Sequence, residues 1–330
     1  MPRIVRFNQL GGPESLRIEE APSQQPGKGE VKLRVQAAGL NRAESVYFHG
    51  RYFEKPDLPS RLGYEVAGIV EAVGEGVDSA WIGKAVATVP GFSQNRYGTL
   101  GEEAIVPVGV LGEYPKNLTP VQAAAIWMQY LTAYGALVDA GGLRTADFVS
   151  IPAASSSVGL AAIQIVRDLG ATAIAVTRTS AKRAELLALG AHYVVVSDEE
   201  DYVARVNEIS GGKGARITFD PVGGPFIAKL AEASAPGGII IVYGSLSQVP
   251  TPFPLVPAMT RALSVRGYTV IEVTQNPAIA KEAKKYIFDR LADGRFGPKI
   301  AQTFPFAQTV EAYQYLESNQ QVGKVVITVP

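Results

Sequence analysis

The sequence predicts an α/β protein in which a partly closed β domain is joined to a doubly wound parallel sheet. Three observations lead there. Between residues 148 and 243, short apolar runs alternate with helix-length amphipathic segments, the pattern of successive βαβ units. The first 120 residues instead carry short alternating runs broken by frequent Gly and Pro, as partly closed β-structures do. The chain has 330 residues, more than one hydrophobic core usually serves. The β domain is expected over residues 1–120 and 296–330, and the parallel-sheet domain over 121–295.

Residues 30–36 alternate polar and apolar side chains, the period of a half-buried strand. Gly11-Gly12-Pro13-Glu14 reads as a turn between two short strands. Residues 67–73 and 103–107 are further strands. At Thr119-Pro120 the pattern changes, a hydroxyl cap followed by a proline in the first helical position. The apolar segment that follows runs to Ala140 and stops at Gly141-Gly142. Strands are then expected at 148–153, 172–177, 192–196, 217–220 and 238–243, with helices at 158–169, 181–189, 199–209 and 226–233 between them. A strand near 263–268 is the candidate sheet edge. Helices at 277–292 and 307–316 and a strand at 325–329 complete the chain, this tail returning to the first domain.

Apolar residues make up 47% and charged residues 19%, and the net charge is zero, so no field favours nucleic acid or an anionic membrane. There are no cysteines, which excludes disulfides, thiolate zinc sites and catalytic thiols. With only His49 and His192 available, no metal site is expected. The first residues lack the apolar core of a signal peptide, and no uncharged apolar run approaches the roughly 20 residues of a membrane span. A cytosolic protein is expected.

The strand at 148–153 runs into Ala154-Ser155-Ser156-Ser157-Val158-Gly159. Small residues between a strand and a helix let a backbone approach a pyrophosphate, whose charge then sits at the helix N-terminus. Only Gly159 remains of the usual three glycines, and a serine-capped helix is the plain alternative. The second strand ends in Thr177-Arg178-Thr179-Ser180-Ala181-Lys182-Arg183. A NAD site wants an acidic residue there for the ribose 2′-OH. Arg178, Lys182 and Arg183, with the Thr177 and Thr179 hydroxyls, suit the 2′-phosphate of NADPH instead. Gly244 and Ser245 follow the strand at 238–243 and can approach the nicotinamide half.

Ala37-Ala38-Gly39-Leu40-Asn41-Arg42-Ala43-Glu44, Gly63-Tyr64-Glu65-Val66-Ala67-Gly68, Val73-Gly74-Glu75-Gly76-Val77, Leu131-Thr132-Ala133-Tyr134, the serine turn and Gly323-Lys324 follow one another in this order. Over nearly its whole length the chain resembles the medium-chain dehydrogenase/reductase superfamily, in particular its zinc-free NADPH:quinone reductase branch, which includes zeta-crystallin. The resemblance implies a GroES-like β domain, a Rossmann domain, and NADPH with a flat apolar acceptor in the cleft between them. Zinc members use a Cys near the Asn41 position and a His where Tyr64 stands, and they carry a four-cysteine lobe missing here. Without a Lewis acid, alcohol oxidation is disfavoured. The branch usually has Ala-Ala-x-Gly-Gly-Val-Gly at the phosphate turn, and its adenine-stacking tyrosine falls at Ser197.

The expected activity is two-electron reduction of a quinone by hydride transfer without metal. Tyr52 aligns with the proton-donating tyrosine of related enoyl thioester reductases. Its alternative is a rim residue. Tyr64 takes the vacated zinc-ligand position, and Asn41 can bond the nicotinamide ribose or the acceptor. Thr132 faces the nicotinamide in the family, and Lys324 matches a family lysine near the cofactor, with a surface lysine as the simple alternative. Tyr47 reads as pocket wall, His49 as an exposed loop residue and His192 as structural. An enone or enoyl thioester reductase is the rival activity. A NADPH-binding protein recruited for a structural or nucleic-acid role is the non-enzymatic rival. A homodimer through the 263–268 edge resembles the family habit.

Overall fold

A computed structural model describes residues 1–330 as two compact units. One comprises Met1–Met128 with Lys284–Pro330, and the other Gln129–Ala283. These divisions differ from the expected 120/121 and 295/296. Both fall inside helices, Trp127–Tyr134 and Pro277–Ala292, where no Gly or Pro cluster marks a boundary.

The first unit opens with strands β1 (Arg3–Phe7), β2 (Leu16–Glu20), β3 (Glu30–Gly39), β4 (Ser60–Arg61), β5 (Glu65–Val73), β6 (Ala85–Thr88), β7 (Glu103–Pro107) and β8 (Leu111–Gly112). The alternation in β3 does what period-two patterning dictates. Val31, Leu33 and Val35 are buried in one core with Val66, Val70, Val86 and Val106, while Arg34 is exposed. β1 pairs antiparallel with β2 and β4 in a small separate sheet.

The second unit holds β9 (Phe148–Ile151), β10 (Thr172–Thr177), β11 (Tyr193–Val196), β12 (Ala215–Asp220), β13 (Ser234–Val242) and β14 (Ser264–Gly267). All pair in parallel, in the order β11-β10-β9-β12-β13-β14. This is the Rossmann order, and the strand direction of travel reverses between β9 and β12, where ligands of such sheets bind. β14 forms one edge. The helix expected from residue 181 begins as a 3₁₀ turn, Ser180–Lys182, and becomes α-helical only over Arg183–Ala188.

The tail returns to the first unit as β15 (Ile300–Pro305) and β16 (Lys324–Thr328), joined by the helix Thr309–Glu317. β16 inserts between β15 and β3, so the larger sheet runs β15-β16-β3-β5-β6-β8, with β7 also on β3. The reading of the sequence missed β4, β6, β8 and β15. The first three are two to four residues long, and β15 carries exposed Gln302 and Thr303 and ends in proline, so none presents a clear apolar period. No helix is long and apolar enough to cross a membrane.

Candidate active site

In the Rossmann unit the chain leaves β9 and turns through Ala153, at φ +49°, to Ser156. Ser156 is the N-cap of the helix Ser157–Asp168, its Oγ accepting from the Gly159 N–H at 3.1 Å. Gly159 is required by sterics. A Cβ there would lie 2.6 Å from the Ala154 carbonyl oxygen and 2.8 Å from its Cα, so only glycine lets the helix begin this close to the turn. Ser157 and Val158 form the first helical residues beside it.

The loop after β10 folds back on this turn. The Lys182 ammonium donates to Ser155 Oγ at 3.1 Å. Partial burial, and then the charge of Arg178, lower the Lys182 pKa. Thr177 ends β10, Thr179 caps the 3₁₀ turn through its backbone alone, and Arg178 is exposed. The acid that residues 177–183 lack arrives from the neighbouring strand. Thr177 stands beside Val196 in the parallel register, which brings the loop after β11 alongside. Glu199 accepts from the Ser180 N–H at 2.9 Å and its hydroxyl at 3.1 Å, and Glu200 forms an ion pair with Arg183. Arg183 is therefore engaged internally. Only the parallel register reveals these two carboxylates, because no local motif links them to the loop they face.

At the same edge of the sheet, Asp220 ends β12, fully buried, accepting from Val222 N–H at 2.8 Å and Gly223 N–H at 3.0 Å. Desolvation raises its pKa. Gly244 and Ser245 follow β13, which pairs with β12. Thr132 is buried in the helix Trp127–Tyr134.

The first unit carries a buried polar cluster at the junction of β3, β5 and β16. Asn41 caps the helix Arg42–Phe48, forming with Glu44 a reciprocal capping box. It is thus a helix cap as well as the end of a strand. Its amide is fully used: Nδ2 donates to the Gly39 carbonyl at 3.1 Å and Glu44 Oε1 at 3.2 Å, and Oδ1 accepts from Lys324 Nζ at 2.7 Å. Lys324 is 1% exposed and donates also to Glu65 Oε2 at 2.5 Å. It is no surface lysine. Glu65 Oε1 accepts from Met128 N–H at 3.0 Å. Glu44 collects N–H donors from Asn41 at 2.6 Å and Tyr64 at 3.2 Å, and the Tyr313 hydroxyl at 3.3 Å. Burial outweighs these donors and pushes its pKa up to about 7. Gly39 belongs to this junction because a Cβ would fall 1.8 Å from the Ala124 carbonyl oxygen. Glu44 and Glu65 were not singled out from sequence, although Asn-x-x-Glu is a local capping signal.

Beside the cluster lies an aromatic group. Tyr64 stands 6.4 Å from Tyr52 and 5.5 Å from Phe92, ring centre to ring centre, and Phe53 packs on Tyr52 at 3.9 Å. Burial pushes Tyr52 up to about 12, so it stays protonated at neutral pH. Tyr47 is tied to Ser60 at 2.8 Å and Asn95 at 2.5 Å, away from this role. His49 ends its helix paired with Glu317 at 3.0 Å, and His192 accepts from the Ala173 N–H at 3.0 Å.

Nowhere do three His, Cys, Asp or Glu side chains gather as a metal site would require. Positions 41 and 64 present an amide and a phenol, and the adjacent Glu65 carboxylate already faces the Lys324 ammonium. These residues do not fit a zinc ion.

Residues 27–132 match the family described as alcohol dehydrogenase GroES-like domain, and residues 157–285 the family described as zinc-binding dehydrogenase. The chain is 30% identical over 334 residues to a 2-haloacrylate reductase from a Burkholderia species, covering 97% of each chain. The crystal structure of a quinone oxidoreductase from Pseudomonas syringae pv. Tomato DC3000 superposes with a TM-score of 0.91 at 28% identity, covering 99% of this chain and 100% of that one. Escherichia coli quinone oxidoreductase complexed with NADPH gives 0.90 at 28% identity, covering 99% of each. The likeness extends over both units and their order in the chain, and the protein belongs to the medium-chain dehydrogenase/reductase superfamily, as an oxidoreductase with a GroES-like and a Rossmann unit.

Proposed function

We propose that this chain catalyses the NADPH-dependent two-electron reduction of quinones without a metal. The observation that carries the reading is the Lys182–Ser155 bond, which draws the basic loop and the capped phosphate turn together. Phosphate groups of the dinucleotide would meet the N–H groups of Ser157 and Val158 at the helix start, with Ser155, Ser156 and Gly159 beside them. The extra phosphate would meet Arg178 and Lys182, with Thr177 and Thr179 at the rim. Gly244, Ser245 and Thr132 are assigned to the nicotinamide half, and Asn41 with Lys324 to its ribose. When bound, NADPH supplies a hydride from nicotinamide C4, and quinone, hydride and one proton give the hydroquinone. Tyr52, Tyr64 and Phe92 offer the flat apolar wall for the acceptor. The deciding experiment is NADPH oxidation measured against quinones, enones, enoyl thioesters and aldehydes, with and without chelator. Turnover confined to aldehydes, or abolished by the chelator, sinks the reading.

The Burkholderia relative's name favours a second reading, reduction of an activated alkene. There the carbon left beside the new C–H bond needs a proton, and we assign Tyr52 as its donor. Tyr52→Phe is therefore expected to lower kcat by about 10- to 100-fold with an enone and less than about threefold with benzoquinone, whose oxyanion takes a proton from water. A protein group donating to both would show equal losses.

A homodimer through the β14 edge is the assembly we favour. Phe253, Leu255, Val256 and Met259, just before β14 in the chain, are exposed large apolar side chains.

A further inference from the structure

Arg6 on β1 stands directly opposite Arg17 on β2 and directly opposite Arg61 on β4. Opposed residues in antiparallel pairs share one face of the sheet, so three guanidinium side chains form a row across three strands. Like charges directly opposite are destabilising. The row is neutralised from within only at Arg6, which forms a loose ion pair with Glu19. Arg17 Nη1 donates to the carbonyls of Glu14 and Leu16 at 2.5 and 2.8 Å. Arg61 Nη2 reaches only the Glu103 carbonyl, at 3.3 Å. The one nearby carboxylate, Glu19, lies 3.6 Å from Arg6 Nη1, beyond hydrogen-bond length. The Nε atoms of both Arg6 and Arg61 are buried and have no acceptor. Burial and the Arg6 charge lower the Arg61 pKa to about 10, so Arg61 stays charged at neutral pH.

The geometry points to a binding site for a tetrahedral oxyanion, a phosphate group, held by Arg6 and Arg61 with Arg17 at its end. A guanidinium binds such an anion through its N–H groups, so an anion held by the accessible Nη ends of Arg6 and Arg61 offsets the repulsion along the row. Arg6 keeps 33% of its side chain exposed, which leaves a way in. The site belongs to the GroES-like unit and takes no part in the proposed hydride transfer.

Thermal unfolding of the full chain, at fixed ionic strength, tests it. Inorganic phosphate at tenfold its Kd should raise Tm by roughly 2–5 °C over potassium chloride. Arg6→Gln and Arg61→Gln should each abolish that rise, while Arg178→Ala, which alters the dinucleotide turn, should keep it. Arg61→Lys preserves the charge and removes the fork, and should weaken phosphate by about tenfold, which guards against a Gln variant that fails to fold. Glycerol phosphate run in parallel separates the sources. A rise with phosphate alone supports a free anion, and one with both supports the phosphoryl end of a larger molecule. No rise with either, or a rise that survives Arg61→Gln or Arg61→Lys undiminished, overturns the site.

Discussion

Lys324→Met is expected to cost about 3–5 kcal/mol of stability in urea unfolding at neutral pH, the range for removing one partner of a buried ion pair. The ammonium is 1% exposed and bonds Glu65 at 2.5 Å and Asn41 at 2.7 Å. Deleting it strands the Glu65 carboxylate in the core and frees the amide oxygen of the helix cap. The double variant Lys324→Met/Glu65→Gln should recover part of the loss, because the stranded charge goes with it. The loss should also depend on pH. Glu44 has a folded pKa of about 7 against a reference of 4.5, so it holds its proton more tightly in the folded state, and its contribution to stability declines as pH rises through that window. The Lys324 charge is one of the causes that keep Glu44 from going higher. Without it the decline continues further, and the deficit of the variant should grow above about pH 7. A loss under 1 kcal/mol, or one flat with pH, would show that the cluster is solvated rather than buried.

Arg178→Ala is expected to raise the NADPH Michaelis constant by about 10- to 100-fold, the worth of one or two charge-assisted hydrogen bonds, and to leave NADH nearly unchanged. The nearby Arg183 cannot substitute, since Glu200 already holds it. Glu199 occupies the Ser180 donors. The discrimination is therefore expected to rest on Arg178 with Lys182. Equal losses for both nucleotides, measured by initial rates or by fluorescence titration, would overturn the phosphate assignment.

The fold was legible where period and punctuation agree. The strand and helix alternation of the Rossmann unit is periodic, and Thr119 with Pro120 marks a helix start that the structure caps as expected, Thr119 accepting from Gln122. The serine turn was legible as a choice between a cap and a phosphate grip, and Ser156 is visibly the cap. The buried cluster was not legible. Lys324 lies 259 residues from Glu65 and 283 from Asn41, and nothing local marks a lysine after a glycine as interior. Its burial follows from the insertion of β16 beside β3, a long-range pairing. The facing of Glu199 and Glu200 onto the basic loop is likewise set by strand register.

That insertion also imposes an order in time. Sheet partners of β3 include residues 324–328, made some 300 residues later on the ribosome. The Rossmann strands lie wholly within 148–267 and can pair while residues 37–39, the end of the longest strand of the first unit, still lack a partner on the flank that β7 covers only over residues 30–34. An unpaired strand flank is a template for association with other chains. During synthesis this short stretch of β3 therefore stays open until residues 324–328 arrive to cover it.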